Sequence, residues 1–421
     1  MSSAAIGPSE LDVGTREVPD RSRLSALWIG LLLLVGVLSL LVFVRMTSAG
    51  VASDLILHTE IAQKEFESGR WFTYTLWSPL IILASLNGHL VPIRSAVVVL
   101  LALAVVAKVV VSRHALVEWG ASRRAAVLVA VGCAICTPVL GIGVPARNGQ
   151  VVDGLLAGSI YLGRLSSTVW HNSTSVAALP LVLVAAIAAH RALTDFSLRR
   201  GALLGLAMAL SALMKPNWAL AALPVVLVWG VTCSRRRLRT KWTRLLVWVI
   251  VGAVPTAIVL VVQLVLVRSD PFVVPSEFTW EPLRVWKFYA ASPAMAWIQS
   301  LLFPLFATGC VVARRQRGVW WLWCSWSVML VATLQMALLG ERNRTTGAPI
   351  FDGNWFWGAH AAVLVLFLAS AAALSSGARA TNDSPLQRAL MNLAWGAFVL
   401  HVTTGAIYIA RLFQLPAGFA S

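Results

Sequence analysis

Charged side chains are scarce in this sequence. Only 12% of its 421 residues are Asp, Glu, Lys or Arg, whereas 58% are hydrophobic and the mean hydropathy is +0.79. A soluble domain of this length would need far more polar surface to cover its core. The composition therefore excludes an ordinary soluble protein and indicates an integral membrane protein.

Cysteine is also rare, with five residues that all lie in or beside apolar runs. Cys133 and Cys136 have the spacing of a redox motif, but they fall inside a predicted membrane span, where packing of small residues is the better explanation. No cleavage site follows the first apolar run, 24–44, so we expect this run to remain as an anchor. No soluble domain, low-complexity tract or convincing repeat is present.

Apolar runs of about 18 to 24 residues recur along the chain, and about 20 helical residues cross the hydrocarbon core of a bilayer. We therefore predict an all-α fold, a polytopic transmembrane helix bundle of about 11 spans, at 25–46, 94–111, 125–142, 175–190, 201–214, 217–232, 245–267, 293–313, 319–339, 355–375 and 389–411. Residues 1–23 are predicted to be a disordered cytoplasmic tail, and residues 24–421 a single transmembrane domain. Pro79 and the pair Asn87-Gly88 interrupt the run 76–93, which predicts a re-entrant or interfacial helix in the first external loop.

Clusters of basic residues alternate with less basic loops, and the positive-inside rule places these clusters in the cytoplasm. They are Arg113/Arg123/Arg124, Arg191/Arg199/Arg200, Arg235/Arg236/Arg237/Arg239/Lys241/Arg244 and Arg314/Arg315/Arg317. This predicts a multi-pass protein of the cell membrane with a cytoplasmic N-terminus and an extracytoplasmic C-terminus. The net charge of +17 then sets topology against the lipid bilayer, and we expect no nucleic acid partner because no basic soluble domain exists.

The predicted external loops are 47–93, 143–174, 268–292 and 340–354. Ten of the seventeen acidic residues fall in them, so we expect function on that face. In the first loop, Asp54 and His58 would lie one turn apart on a helix. A carboxylate beside an imidazole can take a proton from a hydroxyl or help to bind a divalent metal; equally, Ser53 or Asp54 can simply cap the helix. Glu60, Glu65 and Glu67 are more typical of a solvated face balanced by Lys64 and Arg70.

The second external loop ends in a polar cluster that includes His171 and Asn172, just before the fourth span. Its ring nitrogen, amide and hydroxyl groups are suited to a sugar or a phosphate, although capping of the next helix by Asn172 or Ser173 explains the cluster equally well. Lys215 precedes Pro216 at the turn between two short apolar runs. A lysine there is costly unless it snorkels to water or meets an anion such as a lipid-linked phosphate.

The last external loop carries Arg342 and Arg344, although the positive-inside rule disfavours basic residues on that side of the membrane. These two arginines could bind a phosphate, or they could be neutralised by Glu341 and Asp352. Asn354 and Trp355, later in the same loop, offer the amide and aromatic faces that bind sugar rings.

These features resemble the GT-C superfamily of polytopic glycosyltransferases, which take sugars from polyprenyl-phosphate donors on the outer membrane face. The resemblance rests on an acidic residue in the first external loop (Asp54), amphipathic segments there, and the glycine-rich span that ends in Lys215. It implies that Asp54 serves in catalysis or metal binding and that Lys215 meets the donor phosphate. Here the first-loop acid stands alone, and no soluble C-terminal domain is present. The stretches 170–174, 215–217 and 353–358 also resemble uncharacterised bacterial membrane proteins associated with surface polysaccharides.

We therefore predict a membrane glycosyltransferase that moves a sugar from a polyprenyl-phosphate-linked donor to a cell-envelope glycan or lipid acceptor. Asp54 would be the catalytic base with His58 beside it, and Lys215, Arg342 and Arg344 would hold the donor phosphate. Sugar or acceptor binding falls to His171, Asn172, Asn354 and Trp355. The sequence identifies no cofactor; a divalent metal ion is one candidate, with Asp54 as its ligand. A surface-polysaccharide polymerase, a transporter or flippase of lipid-linked sugar and a structural subunit are the alternatives.

Overall fold

The computed structural model describes residues 21–47, 53–69, 74–86, 88–139, 162–233, 242–269, 275–377 and 383–414. Most of the predicted tail, residues 1–20, lies outside them. The helices in these ranges are α1 (Arg21–Thr47), α2 (Asp54–Glu67), α3 (Trp77–Ser85), α4 (Leu90–Glu118), α5 (Arg123–Gly132), α6 (Ser173–Thr194), α7 (Leu198–Met214), α8 (Asn217–Cys233), α9 (Trp242–Ser269), α10 (Arg284–Tyr289), α11 (Pro293–Ala313), α12 (Trp320–Leu338), α13 (Phe356–Gly377) and α14 (Pro385–Gln414). The strands are β1 (Ser276–Trp280), β2 (Leu339–Asn343) and β3 (Pro349–Ile350).

The prediction of a polytopic helical protein is confirmed, whereas the predicted number of about 11 spans is not. Among the described residues, eight helices are long and apolar enough to cross a membrane: α1, α4, α6, α9, α11, α12, α13 and α14. The other three predicted spans coincide with shorter helices, because α5 has 10 residues and α7 and α8 have 17 each. A helix of 17 residues is about 25 Å long, somewhat less than the hydrocarbon core.

The interruption predicted in the first external loop is present. Helix α3 has nine residues, too few to cross a bilayer, and the chain turns at Leu86 and Gly88, both with positive φ, before α4 begins at Leu90. A Cβ at Gly88 would lie 2.3 Å from the Phe66 ring of α2, so the turn needs a glycine. The solvated face expected for α2 is wrong at one position, since Glu65 is only 1% exposed.

A small antiparallel sheet joins two external loops, and the sequence analysis did not predict it. Strand β1 pairs with β2, with Glu277 opposite Arg342, and β2 pairs with β3, in the order β1-β2-β3. The all-α description therefore needs this addition. Short strands that pair across a large sequence separation carry little local signal, which is why the pattern of either loop alone does not show them.

Helix α13 lies at the centre of the bundle, with 94% of its apolar window buried, and it contacts α4, α5, α6, α8, α11 and α12. The predicted span at 125–142 is wrong in its extent, because α5 ends at Gly132 and residues 136–139 are not helical. The buried side chain of Lys108 in α4 explains how the protein interior accommodates the non-helical backbone that follows α5. Its Nζ donates to the Cys133 carbonyl at 2.9 Å and to Thr168 Oγ1 at 3.0 Å, which satisfies polar groups in the protein interior.

The segment that leads into α6, residues 162–172, is also non-helical and mostly buried. Its backbone is satisfied by side chains of the surrounding helices. The Leu165 N–H donates to Ser300 Oγ at 2.8 Å, and the Ser166 N–H donates to His360 Nδ1 at 2.8 Å. These bonds fix the segment against α11 and α13 and thereby position the residues at its end, His171 and Asn172.

Candidate functional site

Asp54 opens helix α2 and is held by the segment that precedes α6. Its backbone N–H donates to the His171 carbonyl at 3.1 Å, and its carboxylate accepts a hydrogen bond from Asn172 Nδ2 at 2.6 Å. Ser53 occupies the N-cap position but makes no side-chain cap, since its hydroxyl donates to the Met46 carbonyl at 3.3 Å. Capping by Ser53 therefore does not explain the polar residues at the start of α2.

Asn172 connects three parts of the chain. As the N-cap of α6, its Oδ1 accepts the Ser175 N–H at 2.9 Å, so the capping explanation is correct. The same oxygen accepts from Lys215 Nζ at 2.8 Å, while the amide nitrogen donates to Asp54. One amide therefore caps a helix and bridges a carboxylate and an ammonium group.

Lys215 lies at the turn between α7 and α8. Besides Asn172, its Nζ donates to Thr174 Oγ1 at 2.8 Å and lies 4.7 Å from the centroid of the Trp357 ring. Burial lowers the pKa of Lys215 to about 7, while the charge of Asp54 favours the protonated form. The lysine is thus poised between its charged and neutral states near neutral pH, and a bound anion would favour the charged state.

Two histidines share the electrostatic environment of Asp54 and Lys215. Burial lowers the pKa of His58 to about 4, and Lys215 adds to this effect while Asp54 opposes it. Burial likewise lowers the pKa of His171 to about 4, and its ring centroid lies 5.5 Å from that of Trp357. Both imidazoles are therefore neutral at pH 7, when each can donate one hydrogen bond and accept another.

The start of α13 reaches this cluster by close backbone packing. A Cβ at Gly358 would lie 2.8 Å from the Asn217 carbonyl of α8, so only glycine allows this approach without a shift. The Asn217 side chain donates to the Asn354 carbonyl at 2.8 Å. These contacts place Trp357 over Lys215, so the aromatic partner of the lysine is Trp357, whereas Trp355 packs on Phe278 with ring centroids 5.3 Å apart.

Sequence reasoning missed two residues that interact electrostatically with Asp54. Burial raises the pKa of Asp352, and the negative charge of Asp54 raises it further. Burial also raises the pKa of Tyr289 to about 12, with contributions from Asp352 and Asp54. Asp352 directly precedes the Gly353-Asn354 pair, and this position in the sequence could have marked it as a site residue. The sequence analysis named it only as a carboxylate that could neutralise Arg342 and Arg344.

The arginines of the last external loop lie on the small sheet. Arg342 Nε donates to Glu281 Oε1 at 2.5 Å, and Arg284 bonds the same oxygen at 3.2 Å. The Glu281 side chain is only 4% exposed, so these arginines neutralise a buried carboxylate. Arg344 is exposed in the β2–β3 turn, where its backbone N–H donates to the Pro275 carbonyl at 2.8 Å.

Asn354 is exposed beside the sheet and is oriented by one carboxylate. Its Nδ2 lies 3.2 Å from both carboxylate oxygens of Glu341. Burial raises the pKa of Glu341, and Asp352 contributes to this shift, while the bond from Asn354 opposes it. Asn354 therefore links the sheet to the turn that holds Lys215. Its side chain bonds Glu341 of the sheet, and its carbonyl accepts from Asn217, two residues after Lys215.

A metal ion does not have an evident binding set here. Within the described ranges, no group of three or more His, Cys, Asp or Glu side chains could hold one. Asp54 instead receives its hydrogen bond from an amide, and Lys215 places a positive charge on the far side of that amide. We therefore derive no chemical step through a metal.

No protein-family model matches the chain, and no curated protein matches it significantly. Among solved structures, one match is the crystal structure of an oligosaccharyltransferase from Archaeoglobus fulgidus, tethered to an acceptor peptide that contains the NVT sequon. The match covers 90% of this chain and 55% of that one, with a TM-score of 0.37 and 12% sequence identity. This chain therefore spans about half the length of the enzyme it matches, and we base the functional proposal on the geometry of the site.

Proposed function

We propose that this protein is a membrane glycosyltransferase that moves a sugar from a polyprenyl-phosphate donor to a hydroxyl of a cell-envelope glycan or lipid on the extracytoplasmic face. The observation that carries the proposal is the bridge from Asp54 through Asn172 to Lys215. In this bridge a carboxylate and an ammonium group lie on either side of one amide, with hydrogen bonds of 2.6 and 2.8 Å.

In the proposed reaction, the acceptor hydroxyl attacks the anomeric carbon of the sugar and its proton passes to the Asp54 carboxylate. A new carbon–oxygen bond forms while the bond from the anomeric carbon to the phosphate oxygen breaks. The electron pair of the broken bond leaves with the phosphate, whose negative charge Lys215 stabilises. No covalent enzyme intermediate is needed, because the acceptor attacks directly.

The remaining residues would position the reactants. Asn172 orients the Asp54 carboxylate, and neutral His58 and His171 would hydrogen-bond the sugar or the acceptor. Trp357 offers an aromatic face beside Lys215, and Asn354 and Trp355 border the same side of the protein. Arg344, which is exposed, would meet a donor phosphate more readily than Arg342, which is bonded to Glu281.

The test is sugar transfer by the purified protein in liposomes that contain labelled polyprenyl-phosphate sugars and an envelope-lipid extract. Asp54→Asn should lower the rate by about 100-fold or more, as expected for loss of a general base. Lys215→Ala should raise KM or lower kcat/KM by about 10-fold to 100-fold, the usual value of one charge-assisted contact. Glu60→Gln and Lys64→Ala make the same chemical changes on the exposed face of α2 and should leave transfer unchanged.

Transfer that survives Asp54→Asn would reject Asp54 as the base and favour a polymerase that holds its donor through arginines. Absence of turnover with every donor, in a well-folded unmodified protein, would reject the transferase and favour a transporter or a structural subunit.

A further inference from the structure

A cavity lies at the opposite end of the helix bundle from Asp54. Its lining includes Trp119 after α4, His190 near the end of α6, and residues 316–322 at the start of α12. His190 follows Ser173 by 17 residues along α6, which corresponds to about 25 Å. The cavity has a volume of about 550 Å³, within the range of small-molecule sites. It is therefore separate from the proposed transferase site.

Aromatic rings form much of the cavity wall. His190 stacks on Trp320 with centroids 5.1 Å apart and planes 4° apart, and the centroids of Trp119 and Trp321 lie 5.2 Å apart. Small side chains from one face of α13, within 369–376, complete the lining. Flat aromatic surfaces opposite small residues suit a ligand that carries a ring.

The charge at the cavity is positive. Arg317 lines the cavity, is exposed, and makes no ion pair or hydrogen bond with any residue that the structure describes. Glu118 lies beside the wall but is occupied, since its two oxygens accept from Arg191 at 2.9 and 2.5 Å. Because this carboxylate is neutralised and Arg317 is not, the cavity favours an anion over a cation.

Hydrogen bonds hold the wall of the cavity in place. Gln316 fixes the α11–α12 loop to α13 by donating to the Ala373 carbonyl at 3.1 Å and to Ser376 Oγ at 3.0 Å. The indole N–H groups of Trp119 and Trp321 are buried and find no acceptor among the described residues. Because these two donors are covered by protein, the cavity meets an occupant through its aromatic rings and Arg317.

We propose that this cavity binds a phosphate ester that carries a ring, with the phosphate at Arg317 and the ring against Trp320 and Trp321. The headgroup of an inositol phospholipid and a free nucleotide share this chemistry. The site is independent of the transferase reaction, because it uses none of the residues assigned to that reaction.

The experiment uses the full chain reconstituted in phosphatidylcholine nanodiscs. One arm adds phosphatidylinositol to the nanodiscs and measures the lipid retained on the protein by native mass spectrometry. The other arm measures binding of labelled uridine diphosphate by equilibrium dialysis. Each arm compares the unmodified chain with Arg317→Ala and with Arg199→Ala, which removes an exposed arginine of α7 that does not line the cavity.

Retention of phosphatidylinositol or binding of uridine diphosphate that falls about tenfold or more in Arg317→Ala, but not in Arg199→Ala, supports the site and identifies its source of phosphate. Thermal unfolding of both variants should match that of the unmodified chain, because both arginines are exposed. Binding in neither arm, equal losses in the two variants, or retention of phosphatidylcholine as strong as that of phosphatidylinositol would overturn the proposal.

Discussion

Replacing Asn172 by aspartate changes the bridge between Asp54 and Lys215 without removing it. Aspartate is as good an N-cap as asparagine, so α6 should keep its start, and Lys215 should keep its acceptor. The amide that donates to Asp54 at 2.6 Å becomes a carboxylate oxygen at the same place. The variant therefore changes the electrostatics of Asp54 while leaving the local fold in place.

The size of the effect follows from the repulsion of two carboxylates in contact. Unit charges at about 4 Å repel by about 4 kcal/mol at an effective dielectric constant of about 20. Asp54 is partly exposed and Lys215 lies across the bridge, so we take half of this, about 2 kcal/mol, as the expected penalty. This penalty raises the pKa at which the pair loses its second proton by about 1.5.

The assay is sugar transfer in liposomes at pH 4.5 and pH 8, with each variant rate divided by the rate of the unmodified protein at the same pH. An ordinary aspartate loses its proton near pH 4, so the pair in Asn172→Asp should keep its second proton up to about pH 5.5. We therefore expect Asn172→Asp to reduce the ratio by about fivefold to tenfold at pH 4.5, where the pair retains a proton, and to restore most of the rate at pH 8. Asn343→Asp is the matched control. Its side chain also accepts two backbone N–H groups, at 2.8 and 3.1 Å, but in the β2–β3 turn. A ratio near one for Asn172→Asp at both pH values, with the fold intact, would refute the role of Asp54 as the base.

Other expectations concern the pH response and two buried contacts. Because Lys215 is protonated mainly below about pH 7, donor affinity should fall as the pH rises through 7. The donor KM should rise accordingly. Lys215→Arg stays charged and should flatten this rise in KM; an unchanged slope would contradict the assignment. Gly205→Ala would place a Cβ 2.5 Å from a backbone carbonyl of α9, so thermal unfolding should show a loss of about 1 to 3 kcal/mol. Gly252→Ala, whose nearest neighbour is 3.6 Å away, should lose much less, and equal losses would count against this packing. Lys108→Met removes two buried hydrogen bonds and should destabilise the protein by about 1 to 3 kcal/mol; a thermal scan like that of Lys64→Met would reject this.

The candidate site residues that the structure brings together were those with a strong local signal in the sequence. Asp54, Asn172 and Lys215 each lie where an apolar run begins or ends, and a polar group at such a point is conspicuous because the membrane excludes it elsewhere. The roles of Arg342 and Arg344 were harder to predict, since a positive charge in an external loop suits a phosphate and a carboxylate equally well. Only the pairing of β1 with β2 brings Arg342 to Glu281.

The sequence by itself determined the membrane class, the position of nearly every helix and the break that precedes α4. Hydropathy suffices for these features because a helix in lipid must satisfy its backbone internally, so its signal is local. Only the tertiary structure decided that Asp54 meets Asn172, 118 residues later, and that Asn172 meets Lys215, 43 residues beyond it. The same holds for Trp357 over Lys215, for the electrostatic effect of Asp54 on Asp352 and Tyr289, and for the early end of α5. These contacts depend on how separate helices pack, which no local pattern of residue types specifies.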